Sequence, residues 1–289
     1  MKKNQPKDQH ILPEMFLSGF VNESRNIFMF DANKNKISDP RNVNSVAKHK
    51  HIYTVINGQN KDYTVEEKFS EIESHAAPLF KKIASAGFID ITAQDIAEII
   101  DFIVLIFIRT PRATLIAERV MKKDEVLSKM IAIDPKAKKV ADACSNSRGL
   151  SYAITLESSF LHRHKVLTDN FDLILLTAEE GSPPFILNDM FCCLEMTSLE
   201  THYIDDNIDW SKMSVKKHFP VSNKHCVSFI PKKDKSRIGT SEITYGRTFA
   251  SQSDVQIINR LSFSQKERYA YCSQMGALQD AIANGGGPL

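Results

Sequence analysis

Charged side chains beside apolar helical segments are the residues of this sequence that could most readily do chemistry. Between residues 65 and 83 apolar side chains recur at helical spacing, and Glu66 and Glu73, seven positions apart, lie together at one edge of that stripe. Arg109 and Arg112, three positions apart, share a face near the end of the most apolar segment. These charges need partners, because an unpaired buried charge is very costly.

Two interpretations of these four residues stay open at the level of the sequence. A network of glutamate and arginine side chains can hold two helices together without taking part in any reaction. Alternatively, the four side chains form one wall of an active site. The guanidinium groups would then bind phosphate or carboxylate, and a glutamate would act as a base or as a metal ligand.

His10 and Asp189 could complete such a site. Asp189 ends a predicted strand, a common place for a metal-binding or catalytic carboxylate, although it could equally cap the following turn. His10 precedes a short helix, where a lone imidazole bonds to the backbone more often than it binds a ligand. Converging in space, the set would suit metal-assisted hydrolysis of a phosphate ester, with a divalent metal held by Asp189 and Glu73. The catalytic candidates are His10, Glu66, Glu73 and Asp189, and the phosphate-binding candidates are Arg109 and Arg112.

Several familiar motifs are missing from the sequence. It contains no P-loop, no Gly-x-Gly-x-x-Gly fingerprint, no Gly-x-Ser-x-Gly elbow and no Cys-x-x-Cys pair. A nuclease motif of Asp followed by Glu-x-Lys is incomplete after Asp189, since the lysine is absent. The His-Arg-His run at 162–164 predicts a solvated basic helix end, because helical residues two apart point in different directions.

The charge map is uneven although the net charge is small. The 289 residues include 37 Lys+Arg and 35 Asp+Glu, a formal net charge of +2 that excludes a protein basic overall. Residues 195–209 hold five acidic side chains and no Lys or Arg, whereas residues 211–238 hold eight basic side chains and one acidic. The basic stretch could follow a phosphate backbone, or pair with the acidic segment or a partner protein. The candidates for nucleic-acid or partner binding are Lys216, Lys217, Lys232, Lys233, Lys235 and Arg237.

The composition is that of a globular protein. Hydrophobic residues make up 42% of the chain, but no segment reaches the roughly 18 uninterrupted apolar residues of a membrane span. The lysines of the first ten residues are followed by no apolar stretch, which is atypical of a signal peptide. Five cysteines without a pairing pattern fit a reducing compartment, so we expect a cytoplasmic location.

Predicted strands and predicted helices occupy separate regions of the chain instead of alternating, which indicates an α+β fold. We expect residues 1–275 to form one composite domain. A Ser-x-x-Glu capping box at Ser264 predicts a helix through Tyr269 and Tyr271. The predicted regions are a β-rich element at 1–63, a helical region at 64–167, an α/β region at 168–275 and a flexible tail at 276–289.

Several short blocks follow one another in a specific order between residues 9 and 273. They are His10-x-x-Pro13-x-x-Phe16-Leu17-x-x-Phe20, Asn42-Val43, Tyr53-Thr54-Val55, Glu66-x-x-Phe69-x-x-Ile72-Glu73, Ala76-Ala77-Pro78, Arg109-Thr110-Pro111-Arg112, Phe185-Ile186-Leu187-Asn188-Asp189, Phe219-Pro220-Val221-Ser222 and Asn259-Arg260-Leu261. In this order the blocks resemble the uncharacterised, mainly microbial family catalogued as domain of unknown function 4238. Where that family usually has Thr-Ser-Asp-Asn-Pro, this chain has Asn188 before Asp189 and Met190-Phe191 after it.

The resemblance supports the fold prediction and brings no established activity with it. It suggests a toxin or phage-defence setting for the leading hypothesis, a metal-assisted hydrolase of nucleic acid or another phosphate substrate. The alternative is a non-catalytic binding or effector-regulating protein that docks a partner through the acidic and basic surface of residues 195–238. In that case the charges on the helices are structural.

Overall fold

The computed structural model describes residues 8–50, 55–57, 60–85, 91–110, 160–195 and 215–285. Its amino-terminal part consists of short strands and one helical turn. These elements are β1 (Asp8–His10), α1 (Glu14–Leu17), β2 (Asn26–Asp31), β3 (Lys36–Ile37), β4 (Arg41–Asn42), β5 (Lys48–Lys50), β6 (Val55–Asn57) and β7 (Asn60–Asp62). β1 pairs with β5, β6 pairs with β7, and β2 pairs with both β3 and β4, all antiparallel.

Within the described ranges, three helices come next: α2 (Thr64–Ser85), α3 (Ala93–Ile108) and the helical residues 160–170, named α4. α3 begins at a reciprocal capping box. Thr92 Oγ1 accepts from the Asp95 N–H at 3.1 Å, and the Asp95 carboxylate accepts from the Thr92 N–H at 2.8 Å. All residues from 102 to 108 are buried, so α3 is a central helix, as its all-round apolar sequence predicts.

α4 packs its basic residue Arg163 against α3. The guanidinium carbon lies 4.4 Å from the centroid of the Phe107 ring, and burial lowers the pKa of Arg163 to about 10. His162 is exposed, but the prediction of a solvated basic end at 162–164 was wrong for Arg163. The reason is that the apolar surface of α3 covers this side of α4.

The described residues of the carboxyl-terminal part contribute strands to two sheets and form two helices. Its elements are β8 (Phe171–Ala178), β9 (Leu187–Asn188), β10 (Cys193–Glu195), β11 (Lys216–Pro220), β12 (His225–Pro231), β13 (Tyr245–Ala250), α5 (Gln252–Ser264), β14 (Tyr269–Cys272) and α6 (Met275–Gly285). The larger of these sheets has the order β10-β11-β12-β8-β13, antiparallel except for the parallel pair of β13 and β8. Burial alternates along β8, as expected for a strand with one face on the core.

The second sheet joins the two ends of the chain. Its order is β3-β2-β14-β9, so β14 near the carboxyl terminus lies between β2 and β9. The predicted helix through Tyr269 and Tyr271 is therefore wrong: α5 ends at Ser264 and both tyrosines lie on a strand. The capping-box pattern does not start a helix here for two reasons. β14 pairs with two neighbouring strands, and the Asp189 carboxylate binds the backbone N–H groups just before β14.

One hydrophobic core connects all three regions of the chain. An aromatic chain runs through it: the Phe16 ring lies 5.6 Å from Phe102 and 4.8 Å from Phe191, which lies 5.7 Å from Phe219. These residues belong to α1, to α3 and to the carboxyl-terminal region, so the described parts form an α+β structure around a common core. None of the helices in the described ranges has both the length and the apolar character of a membrane span.

Candidate functional site

Arg109 lies at the centre of a buried charged cluster between α2, α3 and β1. Its side chain is only 1% exposed, Nη1 forms an ion pair with Glu73 Oε1, and Nη2 donates to the main-chain carbonyl of His10 at 2.6 Å. The guanidinium carbon also lies 4.5 Å from the centroid of the Phe69 ring. One cation thus ties a residue of α2 and a residue of β1 to the end of α3.

Glu66 occupies the same edge of α2. Burial raises the pKa of its carboxyl group, and the positive charge of Arg109 opposes that shift. Its Oε2 atom is buried and accepts no hydrogen bond from the residues that the structure describes. The structure therefore brings Glu66, Glu73, Arg109 and the backbone of His10 together. Arg112, the other predicted phosphate ligand, lies outside the described residues.

Asp189 holds a turn in place. Its carboxylate accepts hydrogen bonds from the backbone N–H groups of Glu267, Arg268 and Tyr269, at 2.9, 2.8 and 2.8 Å. Burial raises the pKa of Asp189, and these backbone hydrogen bonds oppose the shift by favouring the charged form. This is the turn-binding role that the sequence left open, here exerted on a turn some 80 positions away rather than on its own.

A cleft of about 370 Å³ lies beside Asp189, between the second sheet and the segment from β4 to β5. Asp189, Arg268, Tyr269 and Tyr271 line its sheet side. Apolar side chains line the opposite side and include Ile11, Leu12 and Val46. His10 immediately precedes Ile11 and pairs with Lys48 in the β1–β5 ribbon, so the Arg109 cluster lies directly behind the cleft wall. Glu66 and Glu73 do not line the cleft.

The rim of the cleft is rich in cations. Arg41 and Lys48 are exposed, and neither forms an ion pair with another described residue. Arg268 is held by Asp31, at 3.2 and 3.3 Å, and this hydrogen-bonded partner lowers the pKa of Asp31. Of the acidic lining residues, Asp189 faces three N–H donors and Glu267 is exposed.

The predicted metal ligands do not fit a metal site. The Asp189 oxygens face backbone N–H donors, and the Glu73 carboxylate faces the Arg109 guanidinium group. Across the described ranges, no group of three or more His, Cys, Asp or Glu side chains is arranged to hold a metal ion. No chemical step is therefore assigned to a metal at these residues.

Two of the predicted nucleic-acid-binding lysines lie in the interior instead of on a basic surface. Lys232 is 5% exposed, and its ammonium group donates to the carbonyls of Thr168, Asp169, Arg237 and Thr240, at 2.8 to 3.3 Å. Lys217 is 1% exposed, and its Nζ lies 3.7 Å from the centroid of the Phe171 ring. Both cations are engaged within the protein.

The other four basic candidates divide into two pairs. Lys216 forms an ion pair with Glu195 at 2.7 Å, and Arg237 forms a two-pronged ion pair with Asp172 at 2.8 and 3.2 Å. Lys233 and Lys235 are exposed. Among the described candidates, only this last pair stands fully in solvent.

A buried polar relay that the sequence did not predict crosses three neighbouring strands. His218 Nδ1 lies 2.8 Å from Ser228 Oγ, and His218 Nε2 lies 3.0 Å from Glu195 Oε2. Hydrogen bonds from His218 and Lys216 lower the pKa of Glu195 to about 2. Since Ser228 is fully buried, the relay joins β10, β11 and β12 internally. Its members are 23 and 10 positions apart, so no local motif marks it.

Comparison with known proteins assigns the chain to a family. The model of the family described as a protein of unknown function, DUF4238, matches residues 8–274. The chain belongs to this family. The DUF4238 match spans both the Arg109 cluster and the cleft beside Asp189. No curated protein and no solved structure matches the chain.

Proposed function

We propose that this DUF4238 protein binds a small phosphate-bearing anion in the cleft between the β4–β5 segment and β14. The observation that carries the proposal is the pair of exposed cations, Arg41 and Lys48, at the rim of a preformed cleft. Arginine and lysine side chains are the common protein ligands of phosphate groups. The geometry thus supports the phosphate part of the sequence hypothesis at residues other than Arg109 and Arg112.

Arg109 is better suited to a structural role than to ligand binding. Its guanidinium group is fully buried and already contacts Glu73, His10 and the Phe69 ring. A phosphate could reach it only by displacing these contacts. The cluster instead supports the cleft from behind, since the residue after His10 lines the cleft wall.

Asp189 acts in this proposal as a positioning residue. By accepting three backbone hydrogen bonds it fixes the turn that presents Arg268 and Tyr269 to the cleft. A carboxylate that accepts from three N–H donors is held in one orientation. The backbone from which the Arg268 and Tyr269 side chains extend is therefore fixed. Asp189 therefore serves the site without being a metal ligand.

Isothermal titration with pyrophosphate tests the proposal. We expect the wild type to bind and the double variant Arg41→Glu/Lys48→Glu to bind at least about tenfold more weakly, because two charge-assisted contacts become repulsive. The matched control is Lys233→Glu/Lys235→Glu, which makes the same charge change at exposed residues outside the cleft. Absence of binding to the wild type, or equal loss in the control, would contradict the proposal.

The same samples test the two finer hypotheses. If the wild type releases phosphate from an ester and Arg41→Glu/Lys48→Glu does not, the binding function extends to a hydrolase. Binding without turnover would indicate a receptor or regulatory site. Partner or nucleic-acid docking through residues 195–238 would depend on the exposed residues Lys233 and Lys235. Retention of nucleic acid that is lost only in the Lys233→Glu/Lys235→Glu variant would favour that alternative.

A further inference from the structure

We infer that the anion bound in the cleft is a nucleotide, in which a ribose joins a phosphate to a planar aromatic base; this rests on the proposed function and names its ligand class. Inorganic phosphate would use only the cations at the rim. The remainder of the cleft is aromatic on one side and apolar on the other, and such surface favours a flat apolar group.

The aromatic side is built by β14 and its neighbour. Tyr269 and Tyr271 are two positions apart on the strand, so both side chains lie on the cleft side of the sheet, with ring centroids 6.2 Å apart and planes tilted by 37°. Tyr271 is only 1% exposed, so the half-buried Tyr269 is the ring that a ligand can reach. Met29 of β2 pairs with Tyr271 and lines the same surface. Tyrosine rings on a strand are a common platform for stacking nucleic-acid bases.

The opposite side closes the slot. Ile11 and Leu12 follow β1, and Val46 lies before β5; all three are buried and line the cleft. The volume of about 370 Å³ falls within the roughly 300–1,000 Å³ typical of small-molecule sites. A planar group on the half-buried Tyr269 ring would lie beside this aliphatic surface.

The cations lie next to the aromatic side. The Arg268 guanidinium carbon is 4.6 Å from the centroid of the Tyr269 ring, and Arg41 lines the same cleft. With Lys48 they form a positive rim directly beside a stacking surface. A positive rim close to an aromatic ring matches the chemistry of a nucleotide, in which one ribose connects the phosphate to the base.

Titration of four probes under identical conditions tests the inference: pyrophosphate, ribose 5-phosphate, AMP and adenosine. We expect AMP to bind at least about tenfold more tightly than ribose 5-phosphate, since stacking of a base on an aromatic side chain is worth that much. Tyr269→Ala should lower the affinity for AMP to that of ribose 5-phosphate, and Tyr269→Phe should retain most of the wild-type affinity. Thermal melting of both variants identifies any loss that is due to unfolding.

The outcomes separate this inference from the proposed function. Equal affinity for AMP and ribose 5-phosphate in the wild type would overturn the nucleotide inference and leave the anion site standing. An AMP preference that survives in a folded Tyr269→Ala protein would also overturn it. Absence of binding to every phosphate probe would overturn both, and adenosine binding as tightly as AMP would contradict the role of the cations.

Discussion

The Arg109 guanidinium group donates a hydrogen bond of 2.6 Å to the main-chain carbonyl of His10, across 99 positions of the chain. The same side chain is ion-paired with Glu73, so the end of the most apolar helix is connected to the strand that borders the cleft. A buried cation that pairs with a carboxylate and a carbonyl at once links the helical region to the part of the protein that carries the cleft.

Removal of this cation should strongly destabilise the protein. We expect Arg109→Met to lower the free energy of unfolding by about 3–5 kcal/mol, because Glu73 would then be left as an unpaired, largely buried charge. Urea denaturation measures the loss, and Arg109→Met/Glu73→Met, which removes both charges, should recover part of it. A change below about 1 kcal/mol in Arg109→Met would show that the cluster is solvated.

Lys232 should behave as a tethered cation in a cage of carbonyl oxygens. Lys232→Ala removes a donor shared by four carbonyls, of which those of Asp169 and Arg237 keep another donor, so we expect a loss of about 2–4 kcal/mol. Lys233→Ala at the exposed neighbour should change little. Ammonium chloride should raise the Tm of Lys232→Ala more than tetramethylammonium chloride does at equal ionic strength. Equal effects of the two salts would show that the vacated cage does not bind a free cation.

Asp189→Asn should loosen the turn at residues 267–269. The substituted amide keeps one acceptor oxygen and turns an NH2 group towards backbone donors, so we expect a loss of about 1–3 kcal/mol. Faster hydrogen exchange of the three amides would locate the effect at the cleft. Unchanged exchange of these amides would contradict the positioning role of Asp189.

Glu195 should make stability depend on acidity in a defined window. Its pKa falls from the ordinary 4.5 to about 2 in the folded protein, because His218 and Lys216 donate to the carboxylate. The unfolded chain therefore takes up this proton first as the pH falls. The stabilisation is fully present above pH 4.5 and is lost between pH 4.5 and about 2.

The difference in unfolding free energy between wild type and Glu195→Gln measures this contribution. We expect the difference to shrink as the pH falls across that window. A difference that does not vary with pH between 4.5 and 2 would show that the relay contributes nothing through the charge of Glu195.

The elements that the sequence predicted well are those with a strong local pattern. The continuous apolar run of α3 and the amphipathic spacing of α5 correspond to helices in the structure, and the apolar strand near residue 174 is β8. The spacing of Glu66 and Glu73 and the position of Arg109 also predicted a charged cluster between two helices. Such features follow from helical and strand periodicity, which is a property of neighbouring residues.

The sequence could not predict features that depend on residues far apart in the chain. The capping box at Ser264 has the local pattern of a helix start, yet the segment after it pairs with β2, more than 200 positions earlier. In the sequence, Lys217 and Lys232 have the pattern of surface charges in a basic stretch. In the folded protein, Lys217 packs on an aromatic ring and Lys232 donates to four carbonyls. Burial of an ionisable group is decided by its distant partners.

By itself, then, the sequence determined the α+β class, the apolar helix at the centre and the presence of charges that must find partners. The tertiary structure decided which partners those are. Asp189, predicted as a metal ligand, accepts hydrogen bonds from a distant turn, and residues of β2, β4, β5 and β14 come together around one cleft. The physical reason is that periodicity is a property of neighbouring residues, whereas the partners of a buried charge and the residues around a cleft come from distant parts of the chain.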